Sequence, residues 1–108
     1  MTELPAPVAE AFDATNAGDL DRFVAAFADD GVIDDWGREF RGREEIAGWS
    51  RRESIGVHQT FDVTDVREAG DEVIVAADVG GAGFNGPSTF TFRLAPGGAA
   101  IERMVITG

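Results

Sequence analysis

A chain of 108 residues with 44% apolar content is long enough for one folded domain with a single core and too short for two. The formal net charge of −11 argues against nucleic acid and anionic membrane surfaces as partners, because both draw on clustered cations. All nine basic residues are Arg, and the cluster Arg38, Arg41, Arg43, Arg51 and Arg52 is interleaved with Glu39, Glu44, Glu45 and Glu53, which reads as a mixed solvated surface rather than a phosphate track.

With no Cys there is no disulfide framework, thiolate metal site or cysteine nucleophile, so nothing points to an oxidising compartment and the expected location is cytoplasmic. The first twenty residues lack a basic start followed by an apolar core, and no apolar run approaches the length of a membrane span. A soluble, unprocessed chain is expected.

Pro5 and Pro7 suit the first turn of a helix, and Val8, Ala11, Phe12 and Thr15 follow at helical spacing until Asn16-Ala17-Gly18 stops it. Asp19 is a good N-cap for a second helix, in which Leu20, Phe23, Val24 and Phe27 recur at i, i+3, i+4 and i+7. Asp29-Asp30-Gly31 is expected to end it. Val32 to Trp36 reads as a strand, Gly37 as a turn, and Arg38 to Arg41 as a short return strand around Phe40. Gly42 then opens a third helix, with Ile46 and Trp49 on one face, the charged residues Arg43, Glu44, Glu45, Arg51, Arg52 and Glu53 over the others, and Gly56 at its end.

After Gly56 the period changes to two. Val57 to Arg67 is expected as a long strand with Phe61 and Val63 on one face. Glu72 to Val79 follows, with Val73, Val75 and Val79 alternating, then a Gly80 to Gly83 corner. Phe84 to Leu94, with Phe90, Phe92 and Leu94 on one side, and Ile101 to Thr107 complete the chain. Three helices before four long antiparallel strands make an α+β architecture with the helices covering one face of a curved sheet. Valines 57, 63, 73, 75 and 105 suggest apolar residues on more than one side of that sheet, and hence a homodimer.

Asp34 and Asp35 form the most informative pair, because neighbours on a strand face opposite ways and one of them could therefore be aimed inward. A carboxylate inside a fold is costly unless paired or used. Asp35 could serve as a general base in an apolar pocket; alternatively, either Asp accepts hydrogen bonds from Arg38, Arg41 or a backbone N–H at the turn. His58, the single His, could be an acid–base partner, though a lone His at a strand start is more often structural. One His with scattered Asp does not make a metal site, and Asp29 to Asp35 lacks calcium-loop spacing. Trp36, Phe40, Trp49, Phe84 and Phe90 could line a pocket for a flat apolar ligand, although core packing claims some of them. In Phe84-Asn85-Gly86-Pro87-Ser88-Thr89, a bulge could aim Asn85 or Ser88 at the cavity mouth, or the segment is an ordinary loop. Whether Asp78 faces the cavity depends on register.

The phrases Gly18-Asp19-Leu20, Phe27-Ala28-Asp29-Asp30 and Phe40-Arg41-Gly42-Arg43, in this order and followed by long strands, resemble the SnoaL-like branch of the nuclear transport factor 2-like superfamily. The resemblance spans nearly the whole chain, as one domain over residues 1–108. It implies a cone-shaped half-barrel, three N-terminal helices closing over a strongly curved, mainly antiparallel sheet, an apolar pocket for a small organic ligand, and often a homodimer. Its members include ketosteroid isomerases, polyketide cyclases, scytalone dehydratases and limonene epoxide hydrolases, alongside members that bind without reacting.

Asp35 matches the aspartate with which ketosteroid isomerases shuttle a proton beside a carbonyl. The isomerase's two oxyanion donors would fall near Ala11 and Phe90, neither of which can donate, and the chain has no Tyr. The Asp-Arg-Asp set of the epoxide hydrolases finds no place by spacing. The resemblance therefore implies a cofactor-free isomerase, cyclase or dehydratase using Asp35, needing neither metal nor nucleotide, or a non-catalytic binding or interaction module of the same fold.

Overall fold

The computed structural model describes residues 3–108 and contains α1 (Ala6–Ala17), α2 (Leu20–Ala25), β1 (Phe27–Asp35), β2 (Arg38–Arg41), α3 (Gly42–Glu53), a single 3-10 turn (Ile55–Val57), β3 (Thr60–Ala69), β4 (Glu72–Gly80), β5 (Gly86–Leu94) and β6 (Ile101–Thr107). The strands form one six-stranded sheet in the order β2-β1-β6-β5-β4-β3. Every neighbouring pair is antiparallel except β1 with β6. Three helices on this curved sheet give the cone-shaped α+β fold.

Local chemistry sets the helix ends. Pro5 precedes α1 and Pro7 lies in its first turn, while Gly18 closes it in the left-handed region at φ 72°. Asp19 caps α2 by accepting the Arg22 N–H at 3.2 Å. Glu45 folds back to accept the Arg41 N–H at 2.9 Å, satisfying a donor at the start of α3. The Asn16 side chain pairs with the Phe61 backbone, donating to its carbonyl at 3.0 Å and accepting its N–H at 2.7 Å. This ties α1 to β3, one of the two edge strands of the sheet.

The core lies between the helices and the inner sheet face. Phe12 of α1 meets Phe61, Phe90 and Phe92 edge to face, with ring centroids 5.2, 5.4 and 5.7 Å away. Phe23, Phe27, Ile46 and Phe92 are buried, whereas Leu20, Val24, Phe61 and Val105 are half-buried.

Several boundaries differ from the periodicity. The apolar stripe that suggested Phe27 in α2 is broken because the sheet captures that segment: Ile101 donates its N–H to the Ala26 carbonyl at 2.9 Å, and Phe27 pairs with Ile101 as the start of β1. Asp29-Asp30-Gly31 is consequently an irregularity within β1, where the register with β6 shifts between Phe27 and Val32. α3 ends at Glu53 rather than Gly56, and Val57 belongs to the 3-10 turn, so β3 starts at Thr60. Gly56 is required there by close approach, since a Cβ would lie 1.5 Å from the Arg51 carbonyl oxygen. β5 starts at Gly86, leaving Phe84 and Asn85 in the preceding loop.

The valine pattern also resolves differently. Val73 and Val75 are buried in the core, Val63 packs against it, and Val57 leaves the sheet altogether. Val105, between buried Met104 and Ile106, is the one of the five on the outer face.

Candidate functional site

Position in the strand alternation separates the two carboxylates. Asp34 lies on the outer face, where its Oδ2 accepts from Arg103 at 3.1 Å and its Oδ1 accepts the Gly37 N–H at 2.8 Å. Arg103 also donates to Glu39 at 2.9 Å, and this contact, with a second from Arg41, holds the Glu39 carboxyl below the usual carboxylate range. Asp35 turns inward with its side chain 14% exposed.

Asp35 closes β1, and the next two residues form the tight hairpin turn into β2, where Asp35 pairs with Arg38. Trp36 and Gly37 take positive φ values of 53° and 90°, as a two-residue turn matching the right-handed strand twist requires. A Trp in the left-handed region is strained, and its indole stays 66% exposed beside the chain end at Gly108.

Oδ2 of Asp35 accepts two hydrogen bonds, from Trp49 Nε1 at 3.1 Å and from Arg38 Nη2 at 2.5 Å. Oδ1 makes no hydrogen bond among the described residues. Arg38 also grips Glu53 of α3 through both terminal nitrogens, at 3.0 and 2.6 Å. Hydrogen bonding to Glu53 first, and to Asp35 second, raises the Arg38 guanidinium above its ordinary range. The same contact holds the Glu53 carboxyl below its own. One cation thus bridges the end of β1 to the last turn of α3.

Beside this bridge opens a pocket of about 380 Å³ lined by Asp35, Trp36, Trp49, Arg52, Glu53, Val57, Gln59, Gly83, Phe84, Phe90 and Ile106. Its volume suits a small organic molecule and its wall is largely aromatic and aliphatic. Of the residues singled out in the sequence, Asp35, Trp36, Trp49, Phe84 and Phe90 meet here. Trp49 and Phe90 are buried, whereas Trp36 and Phe84 are the two exposed large apolar side chains among the described residues, both on the pocket wall.

The others lie outside that wall. His58 is exposed, in a left-handed conformation at φ 54° just after the 3-10 turn. Asp78 is exposed, between buried Ala77 and Val79 on β4, and so faces away from the core. Asn85 is exposed and its amide donates to the Gly81 and Gly83 carbonyls at 2.8 and 3.0 Å, holding the β4–β5 loop. Phe40 sits near Trp49, with ring centroids 6.4 Å apart, and lines a shallow groove between β2 and α3.

Arg52, Glu53 and Gln59 were not anticipated on the wall. Arg52 and Glu53 follow Trp49 at i+3 and i+4, so helical spacing alone puts them on its face rather than on the opposite one. Gln59 carries no comparable signal, because the turn that aims it is not a periodic element. Among the described residues no three His, Cys, Asp or Glu side chains are arranged to hold a metal ion. No described helix is long and apolar enough to cross a membrane.

The chain belongs to the SnoaL-like domain family, whose profile matches residues 8–103. Among solved structures it is similar to a provisionally named polyketide cyclase from Sinorhizobium meliloti, with 28% identity, a TM-score of 0.82, and 96% of this chain and 95% of that one covered. A Catenulispora acidiphila protein with a ketosteroid isomerase-like fold, solved with trimethylamine, has 25% identity and a TM-score of 0.81 over 98% of this chain and 87% of that one. A Mycobacterium tuberculosis protein solved with estradiol-17β-hemisuccinate shares the fold at 19% identity, with a TM-score of 0.81 over 98% and 95% of the two chains. None of the curated proteins matches this chain.

Proposed function

We propose that this protein encloses a small, mostly apolar organic molecule bearing a carbonyl group, and that Asp35 moves a proton on a carbon beside that carbonyl without a cofactor. The observation that carries this is the Asp35 carboxylate on the wall of an aromatic pocket, with Oδ2 engaged by Trp49 and Arg38 and Oδ1 left open. In this scheme Oδ1 takes the proton and the C–H electron pair flows into the carbonyl to give an enolate. The proton returns to the same carbon or to a conjugated one, regenerating the carboxylate. Trp49 and Arg38 fix the plane of the carboxylate, so that its free lone pairs point at the ligand.

A second function, passive ligand binding, is favoured by the Arg38 contact, which gives the Asp35 carboxylate a structural partner bridging to Glu53. Apolar residues at positions 11 and 90 point the same way. Deuterium uptake by 2-tetralone, whose benzylic C–H is acidic and whose size suits the pocket, separates the two. The wild-type protein is expected to accelerate uptake in D2O, and Asp35→Asn to reduce that acceleration about 100- to 10,000-fold while still binding the ketone. Uptake no faster than in buffer would leave passive binding as the function.

The outer sheet face, which no described helix covers and which carries half-buried Ile74, Thr91 and Val105, supports a homodimer formed through it. Light scattering should return twice the 11.5 kDa chain mass; the chain mass itself at high concentration would overturn this assembly. The absence of Cys supports a cytoplasmic location.

A further inference from the structure

Gln59 is tied twice to one residue. Its backbone N–H donates to the Ser54 carbonyl at 3.0 Å, and its side-chain Oε1 accepts from the Ser54 hydroxyl at 2.8 Å. Ser54 is fully buried at the end of α3, and Gln59 Oε1 is the one acceptor its hydroxyl has among the described residues. This fixes which way the amide points. With oxygen and nitrogen exchanged, the Ser54 oxygen would accept and its own proton would be stranded away from solvent.

The amide nitrogen is therefore turned away from Ser54. Nε2 has no protein acceptor among the described residues, and Gln59 lies on the wall of the same pocket as Asp35. Asp35 and Glu53, the pocket's carboxylates, accept hydrogen bonds when ionised and offer none to a ligand oxygen. The Gln59 amide is a neutral donor held in one orientation before any ligand arrives, which is the condition under which a single hydrogen bond discriminates between ligands.

We infer that Gln59 is the residue that selects and orients the ligand's carbonyl oxygen, with Ser54 as the residue that positions its amide. This rests on the pocket being the ligand site proposed above and specifies the polar group the ligand must carry. The carbonyl oxygen accepts from Nε2, and a ligand lacking that oxygen leaves a desolvated donor unpaired. A donor from the turn before β3 thereby supplies what Ala11 and Phe90 cannot.

The test titrates 15N-labelled protein with 2-tetralone and with tetralin, the same skeleton without the oxygen, following the indole N–H signals of Trp36 and Trp49. Gln59→Glu keeps an acceptor for Ser54 but replaces the donor with a carboxylate. It is expected to weaken 2-tetralone binding roughly tenfold relative to tetralin. Ser54→Ala, which frees the amide to rotate, is expected to lower the same ratio by a smaller factor while leaving tetralin binding unchanged. Should Gln59→Glu fail to fold, Gln59→Met removes the donor at similar volume and is expected to give the same loss. If tetralin and 2-tetralone both bind and their affinity ratio is unchanged in the Gln59 variants, the role of Gln59 is overturned and the pocket stands. If neither compound shifts the indole signals of the wild-type protein, the pocket proposal fails and Gln59 loses its role with it.

Discussion

Trp49→Phe removes the indole N–H that Asp35 accepts at 3.1 Å while keeping an aromatic ring between Phe23 and Phe40. Trp49 is 3% exposed, so both its ring area and its N–H count in full. Phe covers roughly 40 Å² less apolar surface, which at about 25 cal/mol per Å² costs about 1 kcal/mol. The lost hydrogen bond adds about 1.5 kcal/mol, the low end for a charged acceptor, because Asp35 keeps Arg38 and pocket water can replace the donor. A total of about 2.5 kcal/mol corresponds to a fall in melting temperature of roughly 8–15 °C for a chain of this length.

Thermal unfolding followed by circular dichroism measures this directly. Combining Trp49→Phe with Asp35→Ala in a double-mutant cycle then isolates the bond, with an expected coupling of about 1–1.5 kcal/mol. A melting temperature within about 3 °C of wild type, together with a coupling near zero, would refute the claim that the indole holds the Asp35 carboxylate in place.

Two further outcomes follow from charge and backbone geometry. Glu53 and Glu39 are held below the ordinary carboxylate range by Arg38 and by Arg103 respectively. Their contributions to stability are complete above the unfolded carboxylate value of about 4.3 and are lost as pH falls through the lower folded values. Arg38→Met removes the Glu53 share, so wild-type and variant melting temperatures should converge between neutral and acid pH; a constant offset down to pH about 3 would contradict the pairing. Trp36→Asn puts a residue suited to the left-handed region at the first turn position, where Trp has φ 53°, and should stabilise the hairpin by about 1 kcal/mol. The same change removes a pocket wall, so 2-tetralone affinity should fall as the melting temperature rises, and an unchanged affinity would show that the indole does not touch the ligand.

Most of the fold was legible where one periodicity acts alone. The helical stripe of α1 and the alternation of Val73, Val75 and Val79 on β4 match the observed burial, because each element packs on a single face. Phe27 misleads because it satisfies the helical stripe of α2 while its backbone is claimed by β6, a partner more than seventy residues away in sequence that no local pattern reveals. Which of Asp34 and Asp35 turns inward depends on the same β1–β6 register. On the pocket wall, Asp35, Trp36, Trp49, Phe84 and Phe90 stand out in the sequence by residue type, whereas Gln59 does not. Its placement depends on a 3-10 turn and the left-handed His58, and its orientation on a hydrogen bond to a buried Ser.

A crystal structure of the protein grown with 2-tetralone tests the central claim most directly, because it locates the reacting carbon against the carboxylate. The ketone is expected between Trp49 and Phe90, with a carbon next to its carbonyl within about 3.5 Å of Asp35 Oδ1. Ketone bound in the groove beside Phe40, or a pocket closed by the Trp36 and Phe84 side chains with Asp35 turned to bulk solvent, would contradict it.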